Sequence, residues 1–203
     1  MILGRLKRRY PEAGTALEFG GDPWRLLVAT VLSAQTTDAN VNRVAPRLFA
    51  RWPAPEDLAE APPEEVEEVV YSTGYYHQKA RAIIALSGDL VERFGGAVPA
   101  DLAALTSLRG VGRKTASVVL AEAFGKAAIA VDTHVGRLAR RLGLSAARDP
   151  AKVEADLRAL YPRREWAGIS MRLILFWREV CTAQRPACRG CPLRDRCHYP
   201  AKT

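Results

Sequence analysis

Four cysteines near the C-terminal end are the residues whose type and spacing indicate chemistry most directly. Every cysteine of the chain lies between positions 181 and 197, and Cys181, Cys188, Cys191 and Cys197 are spaced C-x6-C-x2-C-x5-C. Cysteines used only as small apolar residues would be scattered, and disulfides are not expected in a reducing compartment. The pattern predicts a metal or cluster site. Spacing alone leaves zinc and an iron–sulfur cluster as open alternatives, although a zinc ribbon would normally have two C-x2-C pairs.

A second candidate is Lys114, in the segment LRGVGRKTASVVL (108–120) of a chain in which 24 of the 30 basic residues are arginine. Apolar spacing predicts a helix on each side of the two glycines, the first ending at Arg109–Gly110. Gly110 and Gly112 permit positive φ and close approach of another backbone, and the N-terminus of the second helix suits a phosphate. From the glycines alone, a helical hairpin that packs and binds nothing is the favoured interpretation, because two glycines are weak evidence.

The longer string around this hairpin resembles a known signature. LRGVGRKTA (108–116), followed by VDTH (131–134), closely resembles the helix–hairpin–helix and Gly/Pro-Asp signature of the endonuclease III family of DNA glycosylases. LSAQTTD (32–38) and STGYYHQKA (72–80) resemble two DNA-facing loops of that family, and the cysteine spacing resembles its [4Fe–4S] loop. Together these motifs cover nearly the whole chain in the family's order.

The resemblance implies that Lys114 is a nucleophile. In this family an amine attacks C1′ of the sugar that carries a damaged base, and the resulting Schiff base permits β-elimination of the 3′ phosphate. Lysine can supply this amine once deprotonated, whereas the guanidinium of arginine stays charged. A lysine in an arginine-rich chain fits that requirement. Without the surrounding signature, Lys114 would be read as a phosphate contact or a solvated surface residue.

Asp132 is the catalytic partner that the resemblance implies. Departure of the base leaves positive charge on the sugar, which a carboxylate stabilises, and the carboxylate can also accept the proton of the lysine. Asp132 precedes an apolar helical pattern, so it is also a candidate helix N-cap. Both roles are compatible, because capping would fix the carboxylate. His134 is expected either to contact a phosphate or to make a local hydrogen bond.

Two loops are implied to open the duplex, since a glycosylase must extrude its target nucleotide. By resemblance Gln35 enters the gap, and the loop around Gly74–Gln78, with Tyr75 and His77, enters from the other side. Many relatives carry an aliphatic wedge where this chain has Tyr75 followed by Tyr76. A tyrosine can stack on bases. The alternative is that both tyrosines pack against neighbouring helices.

The helix–hairpin–helix segment is expected to contact DNA phosphates. The residues assigned to this contact are Arg109, Gly110, Gly112 and Arg113. Arg109 stands where proline is common in the family, which exchanges rigidity for charge beside the phosphate loop.

The segments that must position these residues are almost all helical in pattern. Helices are predicted after GGDP (20–23) and at about 38–50, 63–71, 77–94, 100–107, 113–124, 133–142, 150–160 and 166–180, and no alternation typical of strands occurs. We expect an all-α, two-lobed helix–hairpin–helix glycosylase fold. The resemblance implies a six-helix barrel domain at 16–126, with its hairpin at about 101–124, and an iron–sulfur cluster domain formed by 1–15 and 127–203.

Composition and charge fit a globular protein that binds a polyanion. The chain is 48% hydrophobic and 26% charged, with net charge +8. Residues 1–100 carry net charge −2 and residues 101–203 carry +10. A generally basic proteome would also explain this excess. No run has the length of a membrane span or of a secretory h-region, so we expect a cytoplasmic, nucleoid-associated monomer without a membrane partner.

The predicted function is that of a bifunctional DNA glycosylase and abasic-site lyase, a hydrolase and lyase of base excision repair that acts on oxidised pyrimidines. Its partner is double-stranded DNA with damaged bases or abasic sites, and its cofactor is a [4Fe–4S] cluster. One alternative is a monofunctional adenine-mismatch glycosylase, which typically lacks the lysine and has an extra C-terminal domain. The other is a non-catalytic helix–hairpin–helix module that binds DNA without turnover.

Overall fold

A computed structural model describes residues 1–200, and this part of the chain contains helices and no strand. The all-α prediction is confirmed. The α-helices are α1 (Ile2–Arg9), α2 (Pro23–Leu32), α3 (Asp38–Arg51), α4 (Pro55–Ala59), α5 (Pro63–Val70), α6 (Tyr76–Phe94), α7 (Leu102–Thr106), α8 (Arg113–Glu122), α9 (Thr133–Arg141), α10 (Pro150–Leu160) and α11 (Trp166–Glu179). Short 3-10 turns lie at Tyr71–Thr73, Arg163–Glu165 and Arg194–Arg196. Within residues 1–200, no helix is long and apolar enough to cross a membrane.

The structure differs from the sequence prediction at three helices. α1 and α4 were not predicted, since α1 buries only Leu6 and α4 is one short turn inside the acidic stretch. α7 ends at Thr106 and not at Arg109–Gly110. The backbone tightens there, because Leu108 N donates to Leu105 O at 3.2 Å and starts the hairpin turn.

Asp-Pro pairs begin two of the helices. Asp22 Oδ1 accepts from the backbone N–H of Trp24 at 2.9 Å, and Pro23 is the first residue of α2. Asp149 Oδ1 accepts from Lys152 N at 2.9 Å in the same way at the start of α10. Each carboxylate satisfies a backbone donor that lacks a partner in the first turn, while proline fills a position that needs no donor.

The described chain divides into two compact units. One comprises Ala16–Gly125, in which α4 and α5 pack against α6, and α2 packs against α8. The other comprises Met1–Thr15 together with the residues described from Lys126 onward, in which α1 and α9 pack on α11. Each unit buries its own apolar side chains: among others Leu26, Leu48, Ile83 and Val119 in the first, and Leu138, Leu157, Leu173 and Phe176 in the second.

Asp89 of α6 holds the hairpin between α7 and α8. Its carboxylate accepts from Arg109 N at 2.8 Å through Oδ2 and from Arg109 Nε at 2.9 Å through Oδ1. The Asp89 side chain is only 10% exposed. The hydrogen bond from the Arg109 guanidinium is the main reason that the pKa of Asp89 lies below its usual range, and burial opposes this shift. The hairpin is therefore attached to α6 through a charged, hydrogen-bonded contact.

We expect Asp89→Asn to lower the free energy of unfolding at pH 7 by about 1.5–3 kcal/mol, the range for hydrogen bonds to charged groups. The carboxylate has its lower pKa in the folded state, so its stabilisation is present above the unfolded pKa of about 3.9 and is lost as pH falls through the folded pKa. The wild-type advantage should therefore shrink in acid. Denaturant unfolding of both proteins across the acid range measures this.

Glu92→Gln is the matched control, because Glu92 lies on the same helix, is exposed and acts on Arg109 only as the weakest of its charge partners. It should change stability by less than about 0.5 kcal/mol. An advantage over Asp89→Asn that stays constant as pH falls would contradict the charged contact.

Candidate active site

Gly110 and Gly112, the two hairpin glycines, differ in their backbone conformation and in what a side chain would meet. Gly110 has φ +76°, and a Cβ added there would lie 3.0 Å from Cβ of Ala82 on α6. Gly112 has φ −87°, and apart from its neighbours in sequence an added Cβ would meet no atom of residues 1–200 within 4 Å. Packing within the chain therefore requires a glycine at Gly110 but not at Gly112. The open space at Gly112 is the kind of surface that a foreign backbone can approach closely.

Lys114 lies in the first turn of α8. Gly112 is the N-cap of this helix and has no side chain with which to cap it. Arg113 and Lys114 are exposed, while Ala116 and Val119 of the same helix are buried. The helix thus presents an exposed amine and an exposed guanidinium at its positive end, where N–H groups and the dipole favour an anion.

Asp132 caps α9, as one of the two predicted roles requires. Its Oδ1 accepts from His134 N at 2.9 Å and from Val135 N at 2.8 Å. The side chain is partly exposed. Because both bonds use the same oxygen, they fix the carboxylate and leave its second oxygen, Oδ2, for another group.

The His134 ring stacks on Trp177. The ring centroids are 3.4 Å apart and the planes differ by 16°. His134 is half-buried, and α9 and α11 pack against each other around this pair. The contact gives His134 a local packing role, and its contact with a phosphate stays a prediction.

Gln35 and Tyr75 share an unusual backbone conformation. Their φ angles are +56° and +51°, and no other residue of positions 1–200 apart from glycine has a positive φ. Such left-handed conformations cost about 1–3 kcal/mol each and persist only where the surroundings impose them. Both side chains are exposed, and Tyr75 is 61% exposed. Tyr75 is therefore not packed into the protein, while Tyr76 is half-buried beside Tyr71, with ring centroids 4.8 Å apart.

His77 and Arg109 both have acidic partners inside the protein. Nδ1 of His77 lies 2.6 Å from Oε2 of Glu67, and the His77 side chain is 59% exposed. Nη2 of Arg109 lies 2.8 Å from Oδ1 of Asp89. The Asp89 carboxylate compensates part of the positive charge of Arg109 that a DNA phosphate would meet. DNA contacts of His77 and Arg109 stay predictions.

All four cysteines line one cavity of the second unit, together with Leu142, Phe176, Val180, Pro186, Ala187, Arg194 and Tyr199. Cys181 and Cys188 are buried, and Cys191 and Cys197 are partly exposed. Burial raises the pKa of the Cys181 and Cys191 thiols. Within residues 1–200, no three His, Cys, Asp or Glu side chains are gathered tightly enough to hold one metal ion. An apolar cavity lined by thiols nevertheless provides a donor set that suits zinc or iron.

Two arginines outside the loop hold it in place. Buried Arg141 donates to Thr182 O at 2.9 Å and to Ala183 O at 3.0 Å, and its guanidinium lies 4.0 Å from the ring centre of Tyr199. Arg5 of α1 donates to Pro192 O at 2.7 Å. Sequence analysis missed both residues. Their partners are 41 or more positions away, and no local pattern signals such a contact.

Gly110→Ala and Gly112→Ala form a matched pair. Gly110→Ala should cost about 1–3 kcal/mol of stability, because alanine would be strained at positive φ and would press on Ala82. Gly112→Ala should cost about 0.5–1 kcal/mol, because alanine is a poorer N-cap residue than glycine. If a phosphate lies against Gly112, the second variant should still lose affinity for duplex DNA.

Thermal unfolding and DNA titration at one fixed salt concentration measure the two effects. An equal loss of stability in both variants, with unchanged affinity for Gly112→Ala, would contradict the distinction between the glycines.

A model of the HhH-GPD superfamily base excision DNA repair protein matches residues 28–163. The chain is 47% identical over 197 residues to endonuclease III of Synechocystis sp., covering 97% of this chain and 90% of the relative. It is 42% identical over 198 residues to endonuclease III of Thermotoga maritima, covering 98% and 89%.

A solved structure of a trapped endonuclease III–DNA covalent intermediate, an estranged-adenine complex, matches with a TM-score of 0.92 and 44% identity. The match covers 97% of this chain and 92% of the other. The chain belongs to the HhH-GPD superfamily of base excision DNA repair proteins and, within it, to the endonuclease III family.

Proposed function

We propose that this chain is a bifunctional DNA glycosylase and abasic-site lyase that excises oxidised pyrimidines, with Lys114 as its nucleophile. The observation that carries the proposal is the exposed amine of Lys114 in the first turn of α8, beside the open N-cap at Gly112. A phosphate at that helix end would bring the sugar of a bound nucleotide to the amine. The solved covalent complex of a relative supports a covalent reaction in this family.

The reaction begins with attack by the neutral amine of Lys114 on C1′. A nitrogen–carbon bond forms while the N-glycosidic bond breaks, and the base leaves with that electron pair and takes up a proton. The attached nitrogen then loses one proton, its lone pair forms the C=N bond as the C1′–O4′ bond breaks, and O4′ takes up a proton to become a hydroxyl. The product is an open-chain, protonated Schiff base. Its positive charge acidifies a hydrogen at C2′, and loss of that proton expels the 3′ phosphate by β-elimination. The same lysine therefore serves base release and strand cleavage.

Asp132 supplies negative charge and a proton acceptor. The sugar gains positive charge as the base departs, and a fixed carboxylate stabilises that charge more effectively than mobile water does. The two backbone bonds to Oδ1 keep the carboxylate oriented. Its second oxygen, Oδ2, would accept the proton that the lysine must lose before it attacks.

Gln35 and Tyr75 would replace the extruded nucleotide. The exposed ring of Tyr75 offers a stacking surface, and the Gln35 amide can hydrogen-bond an orphaned base. Gly110, Gly112, Arg113 and Arg109 would hold the phosphates beside the lesion. His77 and His134 would contribute at the edge of this surface.

The cysteine cavity would hold a [4Fe–4S] cluster bound by Cys181, Cys188, Cys191 and Cys197. The donor set fits, because a cluster spreads four thiolates over several iron atoms and does not draw them to one point. When bound, the cluster would order the loop that presents Arg185, Arg189, Arg194 and Arg196, all exposed. The predicted domains, 16–126 as a helical barrel and 1–15 with 127–203 as a cluster domain, are supported by the division of the chain near residues 15 and 125.

The proposed partner is double-stranded DNA with damaged bases or abasic sites, bound by a monomer in the nucleoid. The basic C-terminal half supports this, because phosphate contacts are largely electrostatic. Lys114 disfavours the adenine-mismatch alternative, in which the nucleophile is typically absent. The non-catalytic alternative predicts binding without turnover.

Lys114→Gln should abolish borohydride trapping and strand cleavage on a lesion duplex, because the amide of glutamine is not nucleophilic at neutral pH. Binding to the same duplex should change by less than about tenfold, since one phosphate-directed charge is lost. Denaturing electrophoresis of borohydride-treated reactions measures the covalent product.

Lys152→Gln is the control, because Lys152 is also exposed and lies in the first turn of another helix, α10. It should trap as well as wild type. A covalent adduct formed by Lys114→Gln would remove Lys114 from the nucleophile role.

Purified protein should be yellow-brown and contain about four iron and four sulfide per chain, as a [4Fe–4S] cluster requires. Cys191→Ser should reduce both and weaken DNA binding, because the basic loop loses its order. Elemental analysis after anaerobic purification tests this, and one zinc per chain without iron would reverse the assignment.

A further inference from the structure

Asn40 connects the two loops that carry Gln35 and Tyr75. It lies in the first turn of α3 and is partly buried. Its Nδ2 donates to Thr36 Oγ1 at 3.0 Å, beside Gln35, and to Ser72 O at 2.8 Å, three residues before Tyr75. One side-chain amide therefore bridges two segments that are 36 positions apart.

The orientation of this amide follows from its neighbours. Arg43 Nη2 lies 2.6 Å from Asn40 Oδ1 and can only donate, so the atom facing it must be the oxygen. Ser72 O can only accept, so the atom facing it must be the nitrogen. Ser72 Oγ also donates to Oδ1 at 3.3 Å. The bridge therefore works in one orientation only.

Both connected loops contain a strained residue. Gln35 and Tyr75 have left-handed backbone conformations, which residues other than glycine rarely adopt. The Tyr75 turn has a second support, because the buried Nζ of Lys79 donates to Thr73 O at 2.6 Å. Gln35 and Tyr75 are thus exposed residues in strained conformations, and Asn40 links the loop segments next to them.

We propose that Asn40 is a positioning residue that makes the Gln35 loop and the Tyr75 turn act as one device during nucleotide extrusion. The proposal rests on the function proposed above. Inserting the Gln35 and Tyr75 side chains into the duplex costs less free energy when both loops are already ordered. Their conformational entropy is then lost when the protein folds and not when it binds DNA. Without the bridge, each loop must be ordered separately when the duplex opens.

Asn40→Ala should slow base release from a stable lesion duplex by roughly tenfold, the effect of losing the two bridging hydrogen bonds, to Thr36 Oγ1 and Ser72 O. Cleavage at a preformed abasic site should fall by less than about threefold, because no stacked base has to be removed. Single-turnover rates on both substrates measure this. A threefold or greater loss on both substrates alike would overturn the positioning role.

Asn42→Ala is the matched control. Asn42 lies two residues further along α3, and its Nδ2 donates to Ala16 O at 2.8 Å while its Oδ1 accepts from Glu18 N at 3.0 Å. It loses the same kinds of bond but touches neither loop. It should resemble wild type on both substrates after correction for stability. Thr36→Val removes one arm of the bridge with little change in volume and should show part of the Asn40→Ala defect.

A double-mutant cycle tests the coupling itself. In the wild-type background, the effects of Gln35→Ala and Tyr75→Ala on base release should be non-additive by at least threefold. In Asn40→Ala they should become additive. Additivity in both backgrounds would overturn the proposal.

Hydrogen–deuterium exchange gives a readout that does not need activity. In Asn40→Ala, amides of residues 33–37 and 71–75 should both exchange faster, whereas Asn42→Ala should affect neither segment. Faster exchange in only one segment, or in neither, would overturn the bridge. If the two variants exchange as expected but the wild-type protein releases no base, the bridge stands and the proposed function is contradicted.

Discussion

The attachment of the hairpin to α6 is the constraint on which the Ala16–Gly125 unit depends. Asp89 accepts from both the backbone and the guanidinium of Arg109, and Gly110 leaves just enough room beside Ala82. These contacts fix where α8 starts and so where Lys114 projects. Arg109 provides a side-chain anchor where a proline would provide rigidity, and Asp89 compensates part of its charge.

Helix α6, which carries Asp89, begins directly after Tyr75. From Tyr75 to Asp89, α6 spans about 21 Å at 1.5 Å per residue. One rigid element therefore sets the separation between the proposed stacking residue and the phosphate-binding hairpin. Two short loops joined to one long helix can hold exposed side chains in defined positions, although neither loop has a core of its own. The left-handed backbone conformations of Gln35 and Tyr75 persist because helix α6 and the Asn40 bridge hold the two loops in place.

The cysteine loop follows another principle. From Val180 to Pro200 the chain has little regular structure, and the carbonyls of Thr182, Ala183 and Pro192 accept hydrogen bonds from Arg141 of α9 and Arg5 of α1. A loop held from outside can keep an apolar cavity lined by thiols. The charged guanidinium of Arg141 beside Cys181 counteracts the effect of burial on that thiol. Cysteine binds a metal as the thiolate, so a metal or cluster bound in the cavity would itself supply the remaining stabilisation of that form.

The sequence by itself determined the helical class, most helix positions and the candidates Lys114, Asp132 and the four cysteines. These depend on periodicity, capping and spacing over a few neighbouring residues, and the family resemblance adds the order of the motifs. The short helices α1 and α4 gave too few apolar repeats to be recognised.

Only the tertiary structure decided the long-range contacts. Asp89 and Arg109 are 20 positions apart, Asn40 and Ser72 are 32 apart, and Arg5 and Pro192 are 187 apart. Such pairs depend on which helices pack together, and helix packing is set by the fit of whole apolar faces. The difference between Gly110 and Gly112 is likewise visible only in the tertiary structure, because whether a Cβ would collide depends on the position of the neighbouring helix α6.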